Sequence, residues 1–270
     1  MPAGGIQGQA DAALATLGAK SVSEAEAAIQ KAVDSGDVPE GEFQQMRLLQ
    51  AELLASRGLA YKMAVAASKD DGRKKAYEDG AKSDLDHASR ILDGLGANAP
   101  KGAQMQSIRA MVRLLDGSDA DAVEGLLPKD GADEAHLLVM GSNVWREDKP
   151  RVKRKLIRDL EDLEDPSGLE RSLLALALLR SDDPEGAREL AKQLEAEADD
   201  SPVAVAVLDN LGREGGEDSE AEEGGGDEES ESTGGDENAE DSGETPPDPP
   251  AQTGKKKKWT GGGGGGSSLD

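Results

Sequence analysis

Residues capable of metal or acid–base chemistry are scarce in this sequence. The chain has no cysteine and two histidines, His87 and His136. Without cysteine it can form no disulfide, no thiolate zinc site and no cysteine nucleophile. His87 lies among charged residues and His136 begins an apolar segment, so we interpret both as solvated helix residues. Neither histidine is assigned as a metal ligand or a catalytic base.

Two short motifs resemble known sites but lack required residues. Gly94-Leu-Gly96 has no third glycine and no preceding strand, which favours a helix end over a dinucleotide loop. The acidic segment from Asp116 to Asp121 lacks the central glycine and the closing glutamate of a calcium loop. No Walker-type phosphate loop occurs. The sequence therefore predicts a protein that is not an enzyme and that needs no cofactor and no metal.

Charge and composition narrow the class of protein further. The 270 residues carry 56 acidic and 31 basic side chains, a formal net charge of −25. Nucleic acid phosphates repel such a chain, so we expect no direct nucleic-acid binding. Aromatic residues make up 2% of the chain, which disfavours a β-sandwich or barrel. No long apolar run predicts a membrane span, and no signal peptide is visible, so we expect a cytoplasmic protein. Its Ala, Gly and Asp content is typical of bacteria.

Composition changes sharply near Gly212 and predicts three regions. Residues 1–213 carry the helix signals and form the predicted helical domain. Residues 214–254 contain 16 acidic residues, no Lys or Arg and no large apolar side chain, so we predict a disordered acidic linker. Residues 255–270 add four lysines with Trp259, a basic-aromatic spot, and a Gly-rich tail. Such Gly/Ser composition is typical of flexible linkers, so the chain is either one piece of a longer protein or ends in a frayed tail.

Helix signals recur throughout residues 1–213. Ser21 and Glu24 match the first and last positions of a capping box. Apolar residues at helical spacing predict one long helix from Pro39 to about Ser68 and a second from about Arg73.

The last third of this region has regularly spaced prolines. Pro150, Pro166, Pro184 and Pro202 lie 16, 18 and 18 residues apart, and the last three directly follow Asp or Ser. Proline suits the first position of a helix because the N–H there has no intrahelical partner, and Asp and Ser are preferred N-caps. One helix per interval gives a helix hairpin about every 34 residues, the period of tetratricopeptide arrays.

The spacing of small residues resembles the tetratricopeptide-repeat family. That family pairs a small residue in the first helix with an Ala in the second, and the pairs Ala110–Ala122 and Ala175–Ala187 have this spacing. Units of this degenerate pattern cover about 103–202. We therefore predict an all-α fold of antiparallel helix hairpins, stacked as a tetratricopeptide-like solenoid or as an irregular helical bundle. Whether the helices before residue 98 belong to the array stays open.

The resemblance also implies a binding surface. Tetratricopeptide proteins bind peptides on the concave face that their first helices line. Mapping these positions onto the units that begin near Ala103, Glu134 and Gly168 gives polar candidates for partner binding. They are Gln104, Ser107, Ser142, Arg146, Ser172 and Arg180.

A cluster of cations near Pro150 is a separate anomaly. It comprises Lys149, Arg151, Lys153, Arg154, Lys155 and Arg158. Cations are disfavoured at a helix N-terminus, so the helix dipole alone does not explain them. One interpretation is a solvated helix face on which the pairs Lys155–Asp159 and Arg158–Asp162 reduce the repulsion between the cations. The other is an anion-accepting patch for an acidic partner segment or for the acidic tail of the chain itself, an intramolecular contact.

Together these features predict a non-enzymatic scaffold or adaptor that binds a peptide or helix of a partner protein. The alternative is an acidic-tailed assembly chaperone, or nucleic-acid mimic, whose tail shields a basic client. A third, weaker hypothesis is an accessory region of a catalytic domain. The sequence does not identify the partner.

Overall fold

The computed structural model describes residues 3–36, 38–96, 100, 102–118, 120–127, 133–146 and 149–212. The predicted all-α class is confirmed, with eleven α-helices in these ranges. The helices are α1 (Ala3–Thr16), α2 (Ala19–Ser35), α3 (Glu40–Ala67), α4 (Asp71–Leu95), α5 (Ala103–Asp116), α6 (Ala120–Glu124), α7 (Asp133–Arg146), α8 (Pro150–Glu161), α9 (Gly168–Leu179), α10 (Pro184–Glu197) and α11 (Pro202–Leu211). The predicted acidic linker, basic-aromatic spot and Gly-rich tail lie outside the described residues.

Helix α3 is the centre of the packing. It forms a long hairpin with α4 and also packs against α2, α5, α9 and α11. Two glycines allow α3 to approach α5 and α4 closely. A Cβ at Gly58 of α3 would lie 2.5 Å from a methyl of Leu115 in α5, and a Cβ at Gly80 of α4 would lie 2.9 Å from the ring of Tyr61 in α3. Buried leucines and alanines occur on every side of α3, which is the pattern of a core helix.

A buried ion pair ties α2, α3 and α4 together. The Arg57 guanidinium donates to both carboxylate oxygens of Asp84, at 2.9 and 2.6 Å, and to the Ser23 hydroxyl at 2.6 Å. Burial raises the pKa of Asp84, and the opposing effect of Arg57 is smaller. Because Asp84 is 3% exposed, removal of Arg57 would leave an uncompensated charge in the core.

Helix starts agree with the proline pattern at three of its four positions. Proline occupies the first turn of α8, α10 and α11. The N-cap of α10 is Asp183, whose side chain accepts from the Gly186 N–H at 3.0 Å. The predicted start of α9 at Pro166 is wrong, because the helix begins at Gly168 behind a Ser167–Glu170 capping box. The Ser167 hydroxyl accepts from the Glu170 N–H at 3.2 Å and the Glu170 carboxylate accepts from the Ser167 N–H at 2.8 Å, so both N–H groups have partners at the helix start.

The end of α1 lies directly against the start of α9. A Cβ at Gly168 would lie 2.5 Å from the carbonyl oxygen of Ala15 and 2.6 Å from that of Leu14. Arg171 donates to the same Ala15 oxygen at 2.7 Å. Arg171 also forms a two-nitrogen pair with Glu197, with both distances 2.7 Å. Helix α1 is therefore held against α9 by the close backbone contact that Gly168 permits and by the hydrogen bond from Arg171.

Replacement of Gly168 by alanine tests this approach. The added methyl meets backbone oxygens that cannot rotate away, so we expect Gly168→Ala to lower the free energy of unfolding by about 1–3 kcal/mol. The matched control is Gly8→Ala in α1, where a Cβ would meet nothing within 4 Å and alanine favours the helix. Urea unfolding of both variants measures the difference. Equal stability of Gly168→Ala and the unaltered chain would contradict the packing.

The Arg171–Glu197 pair gives a prediction about pH. The hydrogen bond from Arg171 lowers the pKa of Glu197. The pair therefore stabilises the fold above the ordinary glutamate pKa, and this contribution is lost as the pH falls through the lowered pKa of the folded chain. We expect Arg171→Gln to raise the pKa of Glu197 toward the ordinary glutamate value. NMR titration of the Glu197 carboxyl carbon measures this change. Arg151→Gln is the control and should leave the titration unchanged; an equal shift in both variants would contradict the pairing.

Candidate functional site

Cations that the sequence assigns to binding instead cap the ends of neighbouring helices. Arg180 donates to the carbonyl oxygen of Val144, near the end of α7, and to that of Ala66, near the end of α3, at 3.2 Å. Lys153 in turn donates to the carbonyl of Arg180, at the end of α9. The last four carbonyls of a helix have no intrahelical donor and carry partial negative charge, so each contact stabilises a helix end.

The same arrangement continues at the next helix ends. At the end of α5, Arg146 donates to the carbonyl oxygen of Leu114 at 2.6 Å and to that of Ser118. The Asn210 amide, at the end of α11, donates to the carbonyl of Ala67. The C-terminal ends of α3, α5, α7, α9 and α11 consequently lie side by side. We call Arg146, Lys153, Arg180 and Asn210 the capping cluster.

The other four candidates from the sequence do not share one exposed surface. Ser142 and Ser172 are 1% and 0% exposed, so their predicted place on a binding face is wrong. Both lie where α7 and α9 approach closely, and a Cβ at Gly141 would lie 2.6 Å from a methyl of Leu173. A small side chain is needed there by packing. Gln104 is exposed and donates to Glu52 at 2.8 Å, and Ser107 is half-buried.

The lysines of the cation cluster near Pro150 are engaged inside the domain or along α8. Lys149 donates to the side-chain oxygen of Asn143 at 3.0 Å. Lys153 is 8% exposed and belongs to the capping cluster. Lys155 pairs with Asp159, as the i,i+4 spacing predicts. Of these three residues, only Lys153 is buried, whereas Lys149 and Lys155 are exposed.

The arginines of that cluster remain at the surface. Arg151, Arg154 and Arg158 are exposed and line a shallow depression with Ile157. Within the described part of the chain, none of the three lies within ion-pair distance of a carboxylate. The depression has no enclosing wall from a second helix, since all four lining residues belong to α8.

A deeper concave surface lies between α4 and α5. This feature, which we call the α4–α5 groove, has a volume of about 810 Å³. Its floor is apolar and half-exposed, and one floor residue, Leu126, is 46% exposed. The floor consists of Leu85, Leu92, Val112 and Leu126.

The two walls of the α4–α5 groove carry opposite charges. On the α4 side lie the exposed carboxylates of Asp86 and Asp93. On the α5 side lie the guanidiniums of Arg109 and Arg113, and Asp116 stands 4.0 Å from Arg113 at the end of that wall. An apolar floor between an acidic and a basic wall can hold an amphipathic chain in a fixed orientation.

The sequence does not reveal the groove, because its floor residues share the periodicity of the core. Leu85, Leu92 and Val112 recur at helical spacing with buried residues of their own helices, such as Ala88, Ile91 and Ile108. The available signal is Leu126, a large apolar residue in the turn after α6, flanked by Gly125 and outside any helical stripe. Single exposed apolar residues are common on protein surfaces, so Leu126 indicates a binding surface only together with the apolar floor beside it.

The capping role of Arg180 can be measured directly. Replacement by methionine retains the apolar stem but leaves two helix-end carbonyls without their donor, so we expect Arg180→Met to cost about 1.5–3 kcal/mol of unfolding free energy. Arg151→Met is the matched control at an exposed arginine and should change stability by less than about 0.5 kcal/mol. If both variants unfold at the same denaturant concentration, Arg180 does not hold the helix ends.

Comparisons with known proteins find no relative. No protein-family model, no curated protein and no solved structure matches the chain. Across the described ranges, no helix is both long and apolar enough to cross a membrane. No group of three or more His, Asp or Glu residues in the same ranges could hold a metal ion. Of the alanines that carry the family resemblance, Ala110, Ala175 and Ala187 are buried and Ala122 is exposed, so the tetratricopeptide assignment stays a prediction.

Proposed function

We propose that the protein is a non-enzymatic interaction scaffold that binds an amphipathic helix of a partner protein in the α4–α5 groove. The observation that carries this proposal is the exposed apolar floor between charged walls. In helix-in-groove recognition, apolar anchors one or two turns apart fill such a floor and polar flanks meet the walls.

The dimensions of the groove suit a short helix. Leu85 and Leu92 are two turns apart on α4, about 10 Å at 1.5 Å per residue. On α5, Gln106 and Asp116 mark the two ends of the lining, about 15 Å apart by the same rise. A partner helix of three to four turns therefore covers the floor with one stripe of anchors.

The charges of the walls define the chemistry of the partner. Its helix carries Lys or Arg on the flank that faces Asp86 and Asp93, and Asp or Glu on the flank that faces Arg109 and Arg113. The two arginines are four residues apart, so they repel each other in the free protein and gain from an acidic partner. The apolar contact supplies most of the affinity, and the charges fix orientation and association rate.

The family resemblance points to the same helix, α5. The first unit that resembles a tetratricopeptide repeat begins near Ala103, at the start of α5, and α5 supplies one wall of the groove. Gln104 and Ser107, two of the candidates from the sequence, lie on α5 but do not line the groove, and Gln104 contacts Glu52 of α3. We therefore retain a tetratricopeptide-like scaffold as part of the proposal, with its ligand in the α4–α5 groove.

Titration with designed helices tests the proposal. Three peptides of about 18 residues, long enough to form a helix, share one apolar stripe and carry flanks of Lys and Glu, Lys only, or Glu only. We expect the Lys/Glu peptide to bind the full chain most tightly and to shift the NMR amide signals of Ser89, Val112 and Gly125. Leu126→Ser should weaken binding roughly tenfold, since burial of a leucine contributes about 1.5–3 kcal/mol.

The matched control is Phe43→Ser, which removes the other large apolar side chain that is exposed in the described ranges and should leave peptide affinity unchanged. Equal affinity in Leu126→Ser and the unaltered chain would contradict the proposal. If the Lys-only peptide binds best and shifts no groove signal, the acidic-tailed chaperone becomes the better hypothesis. That alternative depends on residues 214–254, so replacing their acidic residues by Asn and Gln should then abolish binding.

A further inference from the structure

We infer that a second pocket, between α2, α3 and α4, binds a small carboxylate with an apolar body. The pocket has a volume of about 400 Å³, within the range of about 300–1,000 Å³ that is typical of small-molecule sites. It combines cations, an exposed aromatic ring and a glycine. Its lining consists of Gln30, Phe43, Arg47, His87, Arg90, Ile91, Gly94 and Leu95.

The first cation of the pocket, Arg47, is held by neutral groups. One terminal nitrogen of its guanidinium donates to the amide oxygens of Gln30 and Gln50, both at 2.8 Å. These bonds fix the position of the guanidinium without neutralising its charge. An arginine has five N–H donors in a planar fork, so Arg47 retains donors that match a carboxylate.

The second cation, Arg90, also lacks a carboxylate in the described part of the chain. Its Nε donates to the backbone oxygen of Asp86 at 3.0 Å, which leaves both terminal nitrogens for a ligand. His87 stands 3.9 Å from the carboxylate of Glu26. That carboxylate accepts a bond from Gln50, which is fully buried, and Glu26 is not among the lining residues of the pocket.

Neither Arg47 nor Arg90 lies within ion-pair distance of a carboxylate in the described part of the chain. Its net charge is −25, and acidic side chains are available on every helix from α2 to α4. Two like charges that line one pocket repel each other, and an anion bound between them removes this cost. The charge of the pocket therefore selects an anion.

The apolar side chains of the pocket predict that the bound anion carries an apolar group. Phe43, the one phenylalanine of the sequence, is 37% exposed, and the Arg47 guanidinium carbon lies 5.7 Å from its ring centre. Ile91 and Leu95 form the adjacent floor, each 7% exposed. A Cβ at Gly94 would meet nothing within 4 Å, so this position leaves space for a ring or an alkyl chain.

The pocket is separate from the α4–α5 groove. His87, Arg90 and Gly94 lie on one flank of α4, whereas the groove residues Asp86 and Asp93 lie on another. No residue lines both. The inference goes beyond the proposed function, and either can fail without the other.

Matched small probes test the inference on the full chain. The probes are 3-phenylpropionate, its uncharged analogue 3-phenylpropanamide, acetate and inorganic phosphate, each titrated while amide and arginine side-chain signals are recorded by NMR. We expect 3-phenylpropionate to shift the signals of Arg47, Arg90 and Gly94 in a saturable way. It should bind at least tenfold tighter than the amide and than acetate or phosphate.

Three variants locate the site. Arg47→Gln and Arg90→Gln should each weaken 3-phenylpropionate binding at least fivefold. Gly94→Leu should abolish it by filling the pocket while leaving the melting temperature equal or higher, because leucine favours a helix more than glycine does. Leu126→Ser, in the groove, should leave probe affinity unchanged.

Each contrary result overturns the inference. Equal affinity for 3-phenylpropionate and 3-phenylpropanamide would show that the pocket binds the apolar group without distinguishing the charge. Equal binding of acetate or phosphate would show general anion attraction, and no saturable shift at millimolar concentration would show that there is no site. Unchanged affinity in the Arg47→Gln and Arg90→Gln variants, or in a folded Gly94→Leu variant, would place the probe elsewhere.

Discussion

The architecture depends on how helix C-termini obtain hydrogen-bond donors when they are packed together. Several helices end side by side, and their last carbonyls have no partner within their own helix. Arg146, Lys153, Arg180 and Asn210 supply the donors from neighbouring helices. Arg171 does the same for the end of α1 from the other end of α9. Cations are also the charges that a helix C-terminus favours, so one interaction satisfies the carbonyls and fixes how the helices are arranged.

This use of cations explains which surfaces remain available for ligands. The chain has 31 basic and 56 acidic residues, and many of the basic side chains donate to helix-end carbonyls or form ion pairs. The arginines that have no carboxylate in the described part of the chain therefore stand out. Arg47 and Arg90 face a pocket with an aromatic wall, and Arg109 lines a groove with an apolar floor. Uncompensated charge next to exposed apolar surface is the combination that points to both proposed sites.

Local signals in the sequence predict the helices well and the contacts between them poorly. The long helix expected from Pro39 to about Ser68 is present as α3, because its apolar stripe and its start are encoded locally. Helix α1 was not predicted: its glycines lower helix propensity, and packing against α9 compensates. The Ser21 capping box is wrong, since α2 begins at Ala19. The sequence assigned Arg180 to partner binding and could not reveal its capping role, because its partner Ala66 lies 114 residues away in the sequence.

The central claim is that particular cations are immobilised at helix ends while other cations remain exposed at the surface. NMR measurement of guanidinium side-chain dynamics and N–H exchange tests this on the unaltered chain. We expect slow exchange and restricted rotation for Arg146 and Arg180, and fast exchange and free rotation for Arg151 and Arg158. Equal dynamics in the two groups would contradict the account.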